Sequence, residues 1–290
     1  MQLSNKWHVR DLCEAMSISR SGFYKWRKRI NNPCRTVKKR MEDIILFEKY
    51  HEKYPSHGYR WLNAKIRLDL GLIMSDQYAH RCCKFAGIKS QSKHYQYKAP
   101  GENRRVFENM VMSSIQMDGP LQVVVSDMTA FWANKIYWEL TLYMDLWYNE
   151  IIGYGLSSRR GDRNTYFEGL KQVCEKIKGI EGLELILHTD QGSVYSSKSF
   201  NELLPTYHIT HSMSRAGTPT DNGAMEAING WAKTEMFIDF HINDCDDVPA
   251  FIDRYIQFFN EERPACTLGY LTPVAYRKLH EKNQRVSTNR

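Results

Sequence analysis

The feature that most limits the fold is a change of hydrophobic period near Leu121. Before it, apolar residues recur at helical spacing; after it, short β-branched runs alternate with helical patterns. Leu121–Asp127, Tyr137–Leu146 and Ile151–Leu156 read as three successive strands, Leu183–Leu187 as a fourth and Ile209–Ser212 as a fifth. A helix over Tyr166–Ile177 divides the third strand from the fourth. Phe167, Leu170, Val173, Cys174 and Ile177 share one of its faces, and Asp162 or Asn164 can cap it. Ser197–Leu204, Asn222–Met236 and Val248–Asn260 read as further helices. This order describes an α/β fold, a mixed five-stranded sheet flanked by helices.

The front of the chain reads as helices alone. Trp7–Arg29 divides into two short ones, with Val9, Leu12, Cys13 and Met16 at helical spacing in the first. Ser17–Gly22 makes the turn, and Ser19 suits an N-cap. The second helix, Phe23–Arg29, mixes aromatics with cations, the outline of a helix-turn-helix whose basic helix enters a DNA groove. Tyr24, Lys25, Arg27, Lys28 and Arg29 are its candidate DNA contacts, although a helical hairpin that only packs has the same outline. Thr36–Tyr54 is a longer helix stopped by Pro55. His57–Leu62 leads into a helix through Leu68, and Ser75 opens another over Asp76–Phe85 that ends near Gly87. Lys89, Lys93 and Lys98 then alternate with His94, Tyr95 and Tyr97, a pattern that suits phosphate contact and base stacking or a tether along the next domain. Pro100–Asn103 reads as a linker. The expected domains are 1–54, 55–105 and 106–290.

Charge follows the same division. The net +7 of the 290 residues conceals +14 on residues 1–105 and −7 on residues 106–290. A basic module on an acidic one points to nucleic acid, against the plainer reading of a basic solvated face. Hydrophobic content of 42% suffices for a sizeable core, which excludes a disordered tail or a small stapled domain. No apolar run approaches the ~18 residues of a membrane span. The first residues lack the apolar core of a secretion signal. Seven cysteines without a Cys-x-x-Cys pair fit a reduced compartment, and their spacing forms no zinc module.

Three acids stand where chemistry can use them. Asp127 ends or punctuates the first strand, Asp190 leaves the fourth, and Glu226 lies one turn into the Asn222–Met236 helix. Singly, each reads as a turn residue, a cap or part of a solvated face. Together, carried by adjacent strands and a helix, they form an oxygen-ligand site of the kind Mg²⁺ prefers. Two such ions about 4 Å apart can activate an attacking oxygen and stabilise a leaving one.

Between Asp190 and Glu226 lie 35 residues. The three acids at this spacing resemble the Asp-Asp-35-Glu triad of retroviral-type integrases and bacterial insertion-sequence transposases. His188–Tyr195 resembles the second-Asp motif of the transposases encoded by the downstream frame (orfB) of the insertion-sequence-three family. Asp221–Glu226 resembles their Asp-Asn-x-x-x-Glu helix start, and Tyr255–Asn260, Arg263-Pro264 and Leu268–Pro273 resemble their closing signature. His57–Arg60 and Ser75–Lys89 resemble the family's second small helical domain, and Leu12–Arg29 its usual start. The likeness covers about residues 9–280.

The resemblance implies a ribonuclease-H-like core preceded by a small all-α domain of helix-turn-helix type. It implies cleavage of insertion-element ends and strand transfer into target DNA, with Asp127, Asp190 and Glu226 as catalytic and metal-binding acids for two Mg²⁺ or Mn²⁺ ions. Lys233 resembles a lysine that contacts the DNA end, since seven residues after Glu226 it shares the same helix face; a plain surface lysine fits the position too. Arg60 joins the candidate DNA contacts. Asp221 and Asn222 shape the helix start, and Glu235 is a weaker candidate that can simply pair with a neighbouring cation. The implied partners are double-stranded DNA, further copies of the chain on that DNA, and the upstream-frame (orfA) product, in a bacterial cytoplasm at the nucleoid. Three local departures from the family pattern, at Ala227, Tyr148–Glu150 and Ala265–Thr267, bear on DNA contacts or subgroup. Two other readings remain at this stage: a regulatory DNA-binding product without catalysis, and a ribonuclease-H-like nuclease acting on RNA–DNA hybrids.

Overall fold

The computed structural model describes residues 7–92, 117–214 and 223–288. Asp221, Asn222, the Lys93–Lys98 run and the expected linker at Pro100–Asn103 lie outside these residues. The front helices are α1 (Val9–Ala15), α2 (Arg20–Asn31), α3 (Arg35–Lys53), α4 (Tyr59–Leu70) and α5 (Asp76–Ala86). Ser19 caps α2 by accepting the Gly22 N–H at 3.0 Å, so the helix starts at Arg20, inside the expected turn. Ser75 caps α5 in the same way, and Gly87 ends it at φ 70°, a left-handed position that glycine adopts without strain.

The sheet consists of β1 (Val123–Ala133), β2 (Ile136–Asp145), β3 (Glu150–Ser157), β4 (Leu185–Thr189) and β5 (Ile209–Met213). Its order is β3-β2-β1-β4-β5. The first three strands form an antiparallel meander, while β4 runs parallel to β1 and β5 parallel to β4. This is the ribonuclease-H-like arrangement. β1 is longer than the sequence predicts: it pairs with β2 from Val124↔Asp145 to Ala133↔Ile136, so Asp127 sits within the strand, opposite Leu142.

Helices cover both faces. Between β3 and β4 runs α6 (Asn164–Ile177), and α7 (Lys198–Leu203) precedes β5. Neither expected cap of α6 is its N-cap: that place is Arg163, which makes no side-chain cap bond, and Asp162 just before it accepts the Asn164 N–H at 3.0 Å. Helix α6 packs Tyr166, Leu170 and Val173 onto Val124, Tyr143 and Ile152. It lies unusually close, because a Cβ on Gly155 would enter the Thr165 carbonyl and one on Gly153 the Gly169 carbonyl. On the other face lie α8 (Gly223–Thr234), a π-helical turn (Glu235–Asp239) and α9 (Val248–Glu261). Met225, Ile228, Ile252 and Phe259 there share a core with Val125, Leu142 and Met144. The same core takes in Phe47 of α3, Tyr54, and Leu62 and Ile66 of α4, with Tyr54 stacked on Phe258 at 6.1 Å. A last helix, α10 (Pro273–Thr288), has no counterpart in the sequence reading. It docks through Arg277 on buried Glu150 (2.8 Å) and His280 on Tyr148 (3.1 Å). All seven cysteines are free thiols. Among the described residues, no helix is long and apolar enough to cross a membrane.

Candidate active site

Alternation along β1 sends Val124 and Ser126 to the α6 face and Val125 and Asp127 to the α8 face. Asp127 is half-buried. Its Oδ1 accepts the Met128 N–H at 2.8 Å, and its Oδ2 accepts an amide hydrogen of Asn229 at 2.9 Å. Burial, and next the charge of Asp190, push its carboxyl up to about 6; Glu226 adds in the same direction, and the two hydrogen bonds oppose the rise. A carboxylate in this state lacks the charge neutralisation that a bound cation supplies.

Asp190 is exposed and follows β4 directly. The β1–β4 ladder ends at Val125↔His188. Two residues further along each strand stand Asp127 and Asp190, level with one another at the same end of the sheet. Asp190 Oδ1 accepts the Gly192 N–H at 2.9 Å, which turns the chain away from the strand. Buried polar contacts hold this end of β4 in place. His188 Nδ1 lies 3.0 Å from Ser212 Oγ, and Thr189 Oγ1 lies 2.9 Å from His211 Nε2. Burial, then the neighbouring His188, pull the His211 imidazole down to about 4, so it is neutral. Its Nδ1 donates to Asn201 Oδ1 at 2.6 Å, and the Thr189 hydroxyl that approaches its Nε2 donates to the Asp190 carbonyl at 2.9 Å. Ser126 and Tyr195 hydroxyls, 2.7 Å apart, tie the 191–197 turn beneath β1.

Helix α8 carries the third acid. Glu226 is exposed in its first turn, and Asn229 and Lys233 follow on the same face. Burial pulls the half-buried Lys233 ammonium below its usual value, and the Asp127 charge works against that pull. Sequence reasoning passed over Asn229. The signal was its place one turn after Glu226 and one turn before Lys233. Its Oδ1 is buried without a hydrogen-bond partner while its amide nitrogen serves Asp127. A hard divalent cation with its shell of waters suits this set: carboxylates of like charge, and an orphaned amide oxygen able to accept from a metal-bound water. Among the described residues, no three His, Cys, Asp or Glu side chains already converge on one metal position. Asp127 and Asp190 are thus level on adjacent strands, while Glu226 reaches Asp127 through charge.

The remaining predicted residues lie elsewhere. Tyr24, Lys25, Arg27, Lys28 and Arg29 are exposed along α2. Arg60 on α4 is exposed, 3.8 Å from Asp76 and 5.5 Å over the Tyr59 ring. Glu235, on the π turn, is 1% exposed and fully engaged. It accepts from Arg263 Nε at 2.7 Å and Tyr255 Oη at 2.8 Å. His57 Nε2 straddles Glu235 and Asp239 at 3.3 Å from each, and Asp239 also accepts from the Ser56 N–H (2.8 Å) and hydroxyl (2.6 Å). Glu235 therefore pairs with cations and belongs to the seam between the front helices and the core.

Comparison with known proteins bears on the family of the chain. Residues 118–219 match a family model described as integrase core domain, and residues 207–273 match a second model of the same description. The chain is 29% identical over 281 residues to the "Putative transposase InsK for insertion sequence element IS150" of Escherichia coli, across 95% of both chains. It is 31% identical over 201 residues to an uncharacterized transposase-like protein of Haemophilus influenzae, covering 68% of this chain and 90% of that one. The magnesium complex of the HTLV-2 integrase catalytic core domain overlays with a TM-score of 0.42 and 18% identity, covering 53% of this chain and 93% of that one. Integrase-core sequence, homologues along nearly the whole chain and the β3-β2-β1-β4-β5 sheet establish a divalent-metal-dependent, DNA-acting transposase of the insertion-sequence-three family.

Proposed function

We propose that Asp127, Asp190 and Glu226 are the catalytic acids of this transposase, holding two Mg²⁺ or Mn²⁺ ions while element ends are cut and joined to target DNA. The observation that carries this is the half-buried Asp127, raised to about 6 and level with Asp190, which directly follows the neighbouring parallel strand. When bound, the ions supply Lewis-acid activation of the attacking oxygen and stabilisation of the leaving oxygen in an in-line displacement. Asp127 and Asp190 fix the metal position relative to the rigid sheet, and Glu226 approaches from α8. Asn229 orients Asp127 through the 2.9 Å hydrogen bond. Lys233 offers a cation to a DNA phosphate beside the acids. The exposed cations of α2 and Arg60 grip DNA away from the reacting phosphate. Residues 1–54 and 55–105 serve as DNA-binding units, and 106–290 as the catalytic unit. The working assembly is a homo-oligomer on DNA together with the upstream-frame product, in the cytoplasm at the nucleoid.

The test is cleavage and strand transfer of a labelled element-end duplex with Mg²⁺. Asp127→Asn, Asp190→Asn and Glu226→Gln each abolish both reactions while DNA binding persists. Undiminished cleavage by any one of them removes that residue from the assignment.

A further inference from the structure

A cluster of exposed cations stands at the end of the sheet where β1 and β3 finish, and among the described residues none of them forms an ion pair. The β3–α6 connection reads Ser158-Arg159-Arg160-Gly161-Asp162-Arg163, and its three arginines are all exposed. Buried Glu139 of β2 holds this loop still. Its two carboxylate oxygens accept the Gly161 N–H at 2.9 and 3.0 Å, and one of them the Asp162 N–H at 3.2 Å. Gly161 stands at φ 72°, in the left-handed region. Asp162, the loop's own acid, is taken up by the Ser157 hydroxyl (2.7 Å) and the Asn164 N–H (3.0 Å). Arg159 feels its charge only from beyond ion-pair distance. Among the described residues, none of the three arginines forms an ion pair.

The β1–β2 hairpin tip lies beside this loop. The Arg160 guanidinium sits 5.6 Å over the Tyr137 ring, and Tyr137 meets Trp132 edge-on at 5.6 Å. Trp132 is 63% exposed, and Lys135 at the tip is exposed as well. Asn134 anchors the tip by donating to the Cys245 carbonyl. Strand polarity fixes where this surface lies: β1, β3 and β4 all end at the same edge, so hairpin tip, arginine loop and Asp190 share one end of the sheet. Trp132 is five residues beyond Asp127 on β1, about 17 Å at the rise of an extended strand, and alternation turns it to the α6 face while Asp127 faces α8. Four exposed cations and an aromatic, concentrated on a catalytic half that carries −7 overall, are not its average surface.

We propose that Lys135, Arg159, Arg160 and Arg163, with Trp132 beside them, form a platform for the phosphate backbone of a DNA duplex at the end of the sheet that also carries Asp190. The relation of this platform to the chemistry rests on the catalytic reading above; the grip itself does not. Rigid guanidiniums suit bidentate phosphate contacts, and each phosphate neutralised steepens the salt dependence of binding by ~0.9. Element-end and target DNA offer the same backbone, so both are tested.

The experiment measures affinity against salt for the full chain without divalent metal, using one duplex of element-terminal sequence and one of unrelated sequence. Replacing Arg159, Arg160 and Arg163 together by Ala is expected to flatten the slope of log K against log salt by ~2–3. Between about 50 and 200 mM salt the wild-type advantage then shrinks about 40-fold. The Arg→Lys triple variant keeps the slope, and both variants melt as the wild type does because the side chains are exposed. A loss confined to the unrelated duplex assigns the platform to target DNA; a loss confined to the terminal duplex assigns it to element ends. Unchanged slopes with both duplexes, or no binding by the wild type, overturn the proposal. Failure of the catalytic reading shows separately, as metal-dependent cleavage that survives Asp127→Asn.

Discussion

Replacing Asp127 by Asn is expected to make the metal-free protein more stable, although it removes the residue proposed for catalysis. The folded carboxyl titrates at about 6 against an ordinary 3.8. Between these values the folded state keeps a proton that the unfolded state has released, so stability falls as pH rises through the window and levels off above about 6. A gap of roughly two pKa units corresponds to ~3 kcal/mol at about pH 8, and to ~1 kcal/mol at about pH 4.5, where the unfolded carboxyl is still partly protonated. The Asn side chain never carries this charge. Its carbonyl oxygen still accepts from Met128, and its amide can donate to the orphaned Asn229 Oδ1. Urea melts of the two proteins without metal should therefore differ by ~3 kcal/mol at about pH 8 and ~1 kcal/mol at about pH 4.5. The ~2 kcal/mol change in that difference is the signature, because substitution effects unrelated to charge do not vary with pH. Added Mg²⁺ should raise the wild-type midpoint at the higher pH and leave the Asn variant unmoved. An Asn variant no more stable than wild type near pH 8, or a gain equal at both pH values, refutes the reasoning.

Arg263→Leu strands the Glu235 carboxylate among Tyr255 and the π turn, and should cost ~3–5 kcal/mol in urea unfolding; a loss below ~1 kcal/mol shows the pair is solvated. Gly155→Ala drives a methyl into the Thr165 carbonyl and should cost ~1–3 kcal/mol in the same assay, with an unchanged melt disproving the close approach of α6 to β3. Burial pulls the His57 imidazole down, but Asp239 and Glu235 outweigh it, so it titrates above its ordinary 6.5. Its contribution to stability is whole below that value and is lost as pH rises through the raised one. Proton NMR of the ring should give a midpoint above 6.5 that Asp239→Asn lowers, and a wild-type midpoint at or below 6.5 contradicts the assignment.

The sequence shows most where local pattern and physical role coincide. Period-two and period-3.6 runs found all five strands and the helices that cover them, because each element hides one apolar face. Asp127 and Asp190 were legible as acids set against β-branched runs, where an unpaired charge is costly. The continuation of β1 past Asp127 was not, because Ser126-Asp127 reads locally as a strand end and only the pairing with β2 through Ala133 makes it strand interior. Asn229 escaped notice because an amide on a helix face has no local signature; its meaning comes from Asp127 on a strand 102 positions away. The arginines of the β3–α6 loop carried no signal of order either, since the carboxylate that holds them belongs to Glu139 on β2.

Glu235 shows how the charge division acts in the folded molecule. The front module is +14 and the core −7, which by itself suggests two bodies attracted through solvent. Surface attraction of that kind is screened within about 8–10 Å at physiological salt. The contacts between them are of another sort. His57, from the basic half, enters a buried site made by Glu235 and Asp239 of the acidic half, and Arg263 compensates the remaining charge from within. The His57 ring stacks on Trp61 at 3.6 Å, so the imidazole is fixed by packing as well as by charge. Tyr54 and Leu62 extend the seam as part of the core under α8 and α9. Most of the basic charge, on α2 and along the exposed faces of the front helices, remains free of this seam and faces solvent. The seam therefore joins the halves through buried groups that salt screens little, and leaves the exposed cations of α2, Lys25, Arg27, Lys28 and Arg29 among them, available to a polyanion.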